Sequence, residues 1–343
     1  MLDDLKIIHE RDKSDALGVA EKQPAQLLQK FNVELKITHD IRSVVVAGMG
    51  GSGWPAWYLK SWPSLSVPFE VVSDYNLPDY VGSNTLVVVS SFSGNTEETL
   101  STLDDAQKRK ATIVVVTAGG KLIERAKNEN IPYYQLPQGT QPRMSTFYFL
   151  AVYIDLLESL SLIKKGSTGE LHSVSKWLDD QVKSWLPSVT TSKNIAKQLA
   201  LDMVGKSVVI YAGSILAPVA RKWKICINEN AKHVAWWNQY PEFNHNEFIG
   251  WSSHPVDKPY CIVDLLSNLD HKRIQKRFEV TERMLSGKRP AAHNVHLNGD
   301  SPIKQILWTS VLGDFVSIYL AVLNNVDPTP VDLVEKFKLA LDQ

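Results

Sequence analysis

Hydroxyl groups crowd the end of an apolar run in Leu86-Val87-Val88-Val89-Ser90-Ser91-Phe92-Ser93-Gly94-Asn95-Thr96-Glu97-Glu98-Thr99. Four β-forming residues lead into the turn, and Asn95 with Glu98 three residues later has the spacing of a helix start. The free N–H groups and the positive end of that helix then point into the turn, which makes it a place for a phosphate. Ser91, Ser93 and Thr96 add hydroxyl donors, whereas a mere change of direction needs no more than Gly94-Asn95. Upstream, Gly48-Met49-Gly50-Gly51-Ser52-Gly53 follows another β-like run and satisfies G-x-G-x-x-G, with Asp74 lying 24 residues beyond Gly50. Formally this is a dinucleotide fingerprint. Its physics is less particular, because glycines that let backbone N–H groups approach a pyrophosphate serve a sugar phosphate equally well. A dinucleotide has no use for a second hydroxyl-rich turn two strands away. A single phosphate gripped by Gly51 and Ser52 from one crossing and by Ser91, Ser93 and Thr96 from the other does.

The elements that must bring these crossings together are legible as alternating short strands and helices. Val44-Val45-Val46-Ala47, Phe69-Glu70-Val71-Val72, residues 85–90 and residues 111–116 are β-branched runs separated by helical stretches. Runs apolar on both faces predict a parallel sheet covered on each side. At a switch in strand order, the carboxyl ends of such strands share one crevice, so Ser52 and the loop 91–96 can meet there. Residues 164–193 are more polar and carry one amphipathic helix, with Leu171, Val174, Trp177, Leu178 and Val182 near helical spacing. The alternation resumes at residues 207–214, 260–264 and 292–297, and a long apolar helix over 302–323 follows. Asp327-Pro328-Thr329-Pro330 stops it before a last amphipathic helix. The economical reading is α/β, two doubly wound parallel-sheet lobes of flavodoxin-like type. The first covers residues 1–160 with an N-terminal helical arm, and the second covers 161–343 with the linker helix. Residues 45–52 and 209–214 are both strand-to-glycine-to-serine crossings, as a duplicated fold would give.

Length and composition agree. At 343 residues the chain suits two domains, and 44% hydrophobic residues can fill two cores. Lys and Arg total 37 and Asp and Glu total 37, so no long-range field recruits nucleic acid or an anionic membrane. An anion must be held by local geometry. Cys226 and Cys261 form neither a metal spacing nor a disulfide framework, and His293 and His296 lack suitably spaced acidic or thiol partners. The N-terminus has no signal-like apolar core and no run approaches a membrane span, which places the protein in the cytoplasm with no membrane partner.

Gly48-Met49-Gly50-Gly51-Ser52 with residues 91–99 resembles the sugar isomerase (SIS) domain family. Asn228-Glu229-Asn230-Ala231-Lys232 and Pro241-Glu242-Phe243-Asn244-His245-Asn246-Glu247 narrow the resemblance to bifunctional phosphoglucose/phosphomannose isomerases, as does the ending Val326-Asp327-Pro328-Thr329-Pro330. The resemblance implies a cofactor-free, metal-free aldose–ketose isomerase acting on hexose 6-phosphates. It implies phosphate contacts at Ser52, Ser91, Ser93 and Thr96, a catalytic base at Glu229 and a ring-opening histidine at His245. It further implies an enediolate-stabilising Arg143, and a homodimer in which His245 serves the partner's pocket.

The residues themselves are compatible with those roles. A single carboxylate can move a proton between C2 and C1 through a cis-enediol if it is partly desolvated. Glu229 ends a helical pattern near Trp223, Ile225, Cys226 and Ile227, a setting that raises a carboxyl pKa. The ordinary alternative for such a glutamate is a salt bridge with Lys232 or Arg221. His245 stands between Asn244 and Asn246, which could fix its tautomer for opening a cyclic hemiacetal. Arg143 follows a proline and precedes an apolar helix, where its guanidinium could hold negative charge on enediolate oxygens or simply a loop carbonyl. Trp236, Trp237 and Trp251 read as core or subunit contact. Two other functions are compatible with the pattern. One is a sugar-phosphate-sensing regulator without turnover, although the segment before the first strand is too short for a helix-turn-helix. The other is an amino-sugar phosphate isomerase, which needs the same base and phosphate grip.

Overall fold

The β-branched runs are strands in the computed structural model, which describes residues 1–35, 37, 39–139, 141–253 and 259–341. In chain order the principal elements are α1 (Leu5–Arg11), α2 (Ala16–Glu21), β1 (Ser43–Ala47), β2 (Phe69–Val72), β3 (Thr85–Ser91), α3 (Glu97–Lys108), β4 (Thr112–Thr117), α4 (Gly120–Asn128) and β5 (Tyr133–Gln135). Then come α5 (Thr146–Ser159), α6 (Ser167–Val182), α7 (Ile195–Met203), β6 (Ser207–Ala212), α8 (Ala217–Ala231), β7 (Ala235–Gln239) and β8 (Tyr260–Leu266). The chain continues through α9 (Lys272–Leu285), β9 (His293–His296), α10 (Pro302–Leu323) and α11 (Asp332–Leu341). It divides into two compact units, one of Lys22–Asp179 and the other of Met1–Glu21 with Asp180–Gln343.

That division differs from the sequence reading, which broke the chain at 160/161 and gave the N-terminal arm to the first lobe. The boundary falls inside α6. The arm joins the C-terminal unit because its apolar residues Ile8, Leu17 and Ala20 are buried and α1 and α2 pack on α10. Lys197 Nζ also lies 3.1 Å from Asp3 Oδ1, and the Arg11 guanidinium donates to the Val322 carbonyl. Nothing in the spacing of residues 1–21 advertises which core covers them.

Unit 22–179 is built on a parallel sheet in the order β2-β1-β3-β4-β5. Central β3 is buried along its whole length, as a strand covered on both faces requires. Val45, Val87, Val89 and Val115 pack one face against Leu103 and Ala106 of α3 and Leu122 of α4. The order is that of flavodoxin-type sheets, with the switch point between β1 and β3. In the other unit the order is β7-β6-β8-β9, again all parallel. Lobe two therefore repeats the strand order of lobe one up to its fourth strand, in line with duplication.

Two strands were not visible as such in the sequence. β5 has three residues, too few for a periodic signal. β7 is an edge strand carrying the Trp236-Trp237 pair. Trp236 is 51% exposed and so is no part of the core, whereas Trp251 is buried as expected. The helix α10 corrects a further expectation: by length and composition it could cross a membrane, yet 94% of its most apolar window is buried inside the protein. Apolarity on every side marks the central helix of a core. Thr309, Ser310, Asp314 and Ser317 interrupt its apolar pattern in the sequence, and all four are buried. Thr309 and Ser310 return their hydroxyls to the carbonyls of Gln305 and Ile306, at 2.7 and 2.6 Å.

Candidate active site

The two crossings at the β1/β3 switch point meet through side-chain and backbone bonds. Ser52 Oγ accepts the Phe92 N–H at 2.8 Å, while the Ser52 carbonyl accepts from Ser90 Oγ and Tyr153 Oη, each at 3.1 Å. Ser91 Oγ accepts the Gly94 N–H at 3.1 Å and shares a 2.9 Å bond with Thr96 Oγ1. Ser93, exposed at the rim, accepts the Asn95 N–H at 3.3 Å. Backbone donors thus occupy acceptor sites on Ser52, Ser91 and Ser93, which leaves the Ser52 and Ser93 protons and one proton of the Ser91–Thr96 pair to donate. A cluster of spare donors is what an oxyanion needs.

Helix α3 begins differently from the expected start at Asn95. Its N-cap is Thr96, in extended conformation, and no side chain caps the first turn. Asn95 Oδ1 instead takes the Lys121 N–H at 3.0 Å, at the start of α4. The consequence favours anion binding, because the first-turn N–H groups of α3 are not consumed by an N-cap side chain.

Gly51 places the third element. A Cβ there would lie 2.6 Å from Arg143 N and 2.7 Å from Pro142 C. Only a residue without a side chain lets the glycine turn lie against the 142–144 turn. Arg143 in that turn is 2% exposed and stands just before α5, as the sequence suggested. The structure therefore gathers Gly51, Ser52, Ser91, Ser93, Thr96 and Arg143 within one unit. Tyr153, whose hydroxyl fixes the Ser52 backbone, was missed, since a tyrosine in an apolar helix gives no signal.

The corresponding crossing of the other unit is already closed. A Cβ on Gly213 would lie 2.0 Å from Asp270 Oδ2, and Asp270 Oδ1 accepts the Ile215 N–H at 3.1 Å. Burial holds this carboxyl above its usual pKa. The Asp270 carboxyl occupies the place where an anion would bind at this crossing.

Glu229 and His245 belong to the C-terminal unit. Glu229 lies half-buried in the last turn of α8, beside the buried Trp223, Cys226 and Ile227. Polar bonds to α10 recur along this helix. Lys222 Nζ meets the Asp314 carboxylate and the Ser310 carbonyl, and Trp223 Nε1 donates to Thr309 O at 2.8 Å. Cys226 Sγ lies 3.2 Å from Asp314 Oδ1, and Asn230 Nδ2 donates to Ser317 Oγ at 2.9 Å. Breaking a buried pair such as Lys222–Asp314 leaves an uncompensated charge, so the register of α8 on α10 is firmly set. Lys232, left-handed at the helix end, sends its ammonium to the carbonyls of Asn230 and Asp327.

His245 ends the 242–245 turn and is exposed. The flanking amides do not fix its tautomer as expected. Asn244 bridges Thr281 Oγ1 and Arg277, each at 3.0 Å, and Asn246 bonds Glu242 and the Glu247 N–H. They brace the loop instead. Phe243 is fully buried against Tyr211 and Tyr240. Glu247 accepts from Asn238 Nδ2 at 2.6 Å and pairs with the Tyr211 hydroxyl, which also takes the Trp251 Nε1–H at 3.1 Å. These partners span three elements, and no local motif announces them. Among the described residues, no group of three or more His, Cys, Asp or Glu is placed to hold a metal. Tyr319, to which the sequence assigned no role, is buried and donates to the Trp185 carbonyl at 2.6 Å.

Against known proteins, the bifunctional phosphoglucose/phosphomannose isomerase of Caldicellulosiruptor bescii is 36% identical over 92% of this chain and 95% of its own. The chain belongs to the bifunctional phosphoglucose/phosphomannose isomerase family. The Aquifex aeolicus member is 33% identical over 87% of this chain and 89% of its own. A D-glucosamine-6-phosphate 4-epimerase from Sulfolobus acidocaldarius is 30% identical over 88% of this chain and 92% of its own. The family model for the bacterial phospho-glucose isomerase C-terminal SIS domain matches residues 192–341. Among solved structures, a glucose-6-phosphate isomerase like protein from Thermus thermophilus superposes with a TM-score of 0.65 at 16% identity, covering 97% of this chain and 99% of that one. The fold is thus that of SIS proteins, and membership makes the chain an isomerase.

Proposed function

We propose that this family member interconverts glucose 6-phosphate and mannose 6-phosphate with fructose 6-phosphate through a cis-enediol. The observation that carries the reading is the set of spare hydroxyl donors on Ser52, Ser93 and one of the bonded pair Ser91 and Thr96 at the uncapped start of α3, with Gly51 seating the Arg143 turn against it. The donors hold the phosphate. Glu229 removes the C2 proton of the open aldose as electrons move to O1, the O2 hydroxyl proton passes to O1, and the same carboxyl returns its proton to C1 as the C2 carbonyl of the ketose forms. Arg143 stabilises the negative charge that develops on the enediolate oxygens. His245 exchanges protons with the ring oxygen and the anomeric hydroxyl during opening. The chemistry needs no cofactor.

The reading places the enzyme in the cytoplasm as a homodimer, with His245 serving a neighbouring copy. The exposure of His245, which makes no hydrogen bond among the described residues, supports that part. An amino-sugar phosphate is the second reading, favoured by the Sulfolobus acidocaldarius relative whose name carries glucosamine 6-phosphate. Coupled assays with glucose 6-phosphate, mannose 6-phosphate and glucosamine 6-phosphate separate them. Turnover of the first two supports the proposal, and turnover of glucosamine 6-phosphate alone rejects it.

A further inference from the structure

A cavity of about 610 Å³ opens within the C-terminal unit, between α9 and the β8–β9 edge of its sheet. One wall is two cross-strand pairs, Asp264 with Asn294 and Leu266 with His296. The other is the stripe Gln275, Phe278, Glu279 and Glu282 of α9. α9 buries Ile274, Phe278 and Leu285 against the sheet, as an amphipathic helix does, and Gln275, Glu279 and Glu282 flank that apolar face on the cavity side. The cavity also lies toward the carboxyl ends of β8 and β9, where open α/β sheets receive ligands.

Its polar groups are not used up by the fold. Asp264 is 2% exposed, and its Oδ1 has no hydrogen-bond partner. Burial pushes this carboxyl up to about 7. Arg283, Asn294 and His296, which also line the cavity, are exposed at its mouth, and their side chains make no hydrogen bond or ion pair among the described residues. Buried polar atoms are nearly always bonded, so a buried orphan on a cavity wall points to an occupant.

Charge decides its class. The lining carries three carboxyls, those of Asp264, Glu279 and Glu282, and one guanidinium, that of Arg283, while the buried Arg289, outside the lining, acts on Asp264 and Glu282; an anion is disfavoured. Glu279 is engaged by Lys276 at 2.6 Å and Glu282 by Arg289 at 3.1 Å, and Arg289 also acts on Asp264 but does not hydrogen-bond its Oδ1, which leaves that oxygen to meet a cation's N–H. Asn294 and His296 offer both donors and acceptors to hydroxyls, and Phe278 with Leu266 covers carbon. We infer that this cavity binds a small polyhydroxylated amine, its ammonium on Asp264 and its hydroxyls on Asn294 and His296. None of its lining residues is among those assigned to isomerisation.

The test is calorimetric titration of the full chain with D-glucosamine and with D-glucose as its neutral counterpart. Saturable glucosamine binding at least tenfold tighter than glucose, weakened at least tenfold in Asp264→Asn and persisting in the presence of fructose 6-phosphate, bears the inference out. Absence of saturable glucosamine binding overturns it, as do equal affinities for the two sugars, wild-type affinity in Asp264→Asn or displacement by fructose 6-phosphate. Should Asp264→Asn not fold, the exposed-edge variant Asn294→Leu must lower glucosamine affinity several-fold, and an unchanged affinity there rejects the site.

Discussion

Replacing Asp264 by asparagine should make the stability of the C-terminal unit less sensitive to pH in a calculable way. In the folded protein burial raises the Asp264 pKa from 3.8 to about 7, with Glu282 adding to the rise and Arg289 opposing it. A carboxyl whose pKa rises on folding holds its proton more tightly in the native state, so stability falls as pH climbs from the unfolded to the folded value. Each unit in that window costs about 1.4 kcal/mol, which accumulates to roughly 4 kcal/mol above neutrality. Near pH 5 the wild type carries about 1.5 kcal/mol of that cost and near pH 8 all of it, so the variant should gain roughly 3 kcal/mol on the wild type between them. Asparagine does not titrate, and other groups cancel in the difference. Urea unfolding followed by tryptophan fluorescence at the two pH values measures it. A wild-type-minus-variant difference that stays constant, or moves the other way, would refute the raised pKa and with it the buried ionisable wall of the cavity.

Three further outcomes are expected. Gly51→Ala must push a Cβ into the Pro142–Arg143 backbone at 2.6–2.7 Å, an overpacking cost of roughly 1–3 kcal/mol. KM for fructose 6-phosphate should rise and kcat fall, and an unaltered kcat/KM would mean that the Arg143 turn does not serve the reaction. Mixing inactive Glu229→Gln with inactive His245→Ala chains after reversible dissociation should restore about a quarter of wild-type activity, because half the dimers are mixed and one of their two sites is intact. No recovery would place His245 in its own subunit's site. EDTA should leave the rate unchanged, and strong inhibition would reveal a metal requirement.

Much of this architecture was readable because its signals are local. Short β-forming runs gave seven of the strands, and the boundaries 302–323 of α10 follow from proline at its start and the Asp327–Pro330 stop. The two hydroxyl-bearing crossings stood out because each follows a strand directly. What escaped notice depends on partners distant in sequence. The arm 1–21 is assigned by Asp3–Lys197 and Arg11–Val322 bonds, and Asn95 serves α4 rather than its own helix. Asn244 and Asn246 brace their loop through Thr281, Arg277 and Glu242. Asp264 sits in an apolar strand pattern whose opposing helix stripe reads as an ordinary amphipathic helix. Only the β8–β9 register sets it opposite Asn294.

The most direct measurement is the pair of constants for Glu229→Gln: affinity for fructose 6-phosphate by calorimetry and kcat by coupled assay. Removing a proton-shuttling carboxyl while sparing the phosphate grip should leave affinity nearly unchanged and lower kcat by at least about 10²–10⁴-fold. A variant that turns over at the wild-type rate would contradict the assignment of Glu229 as the base.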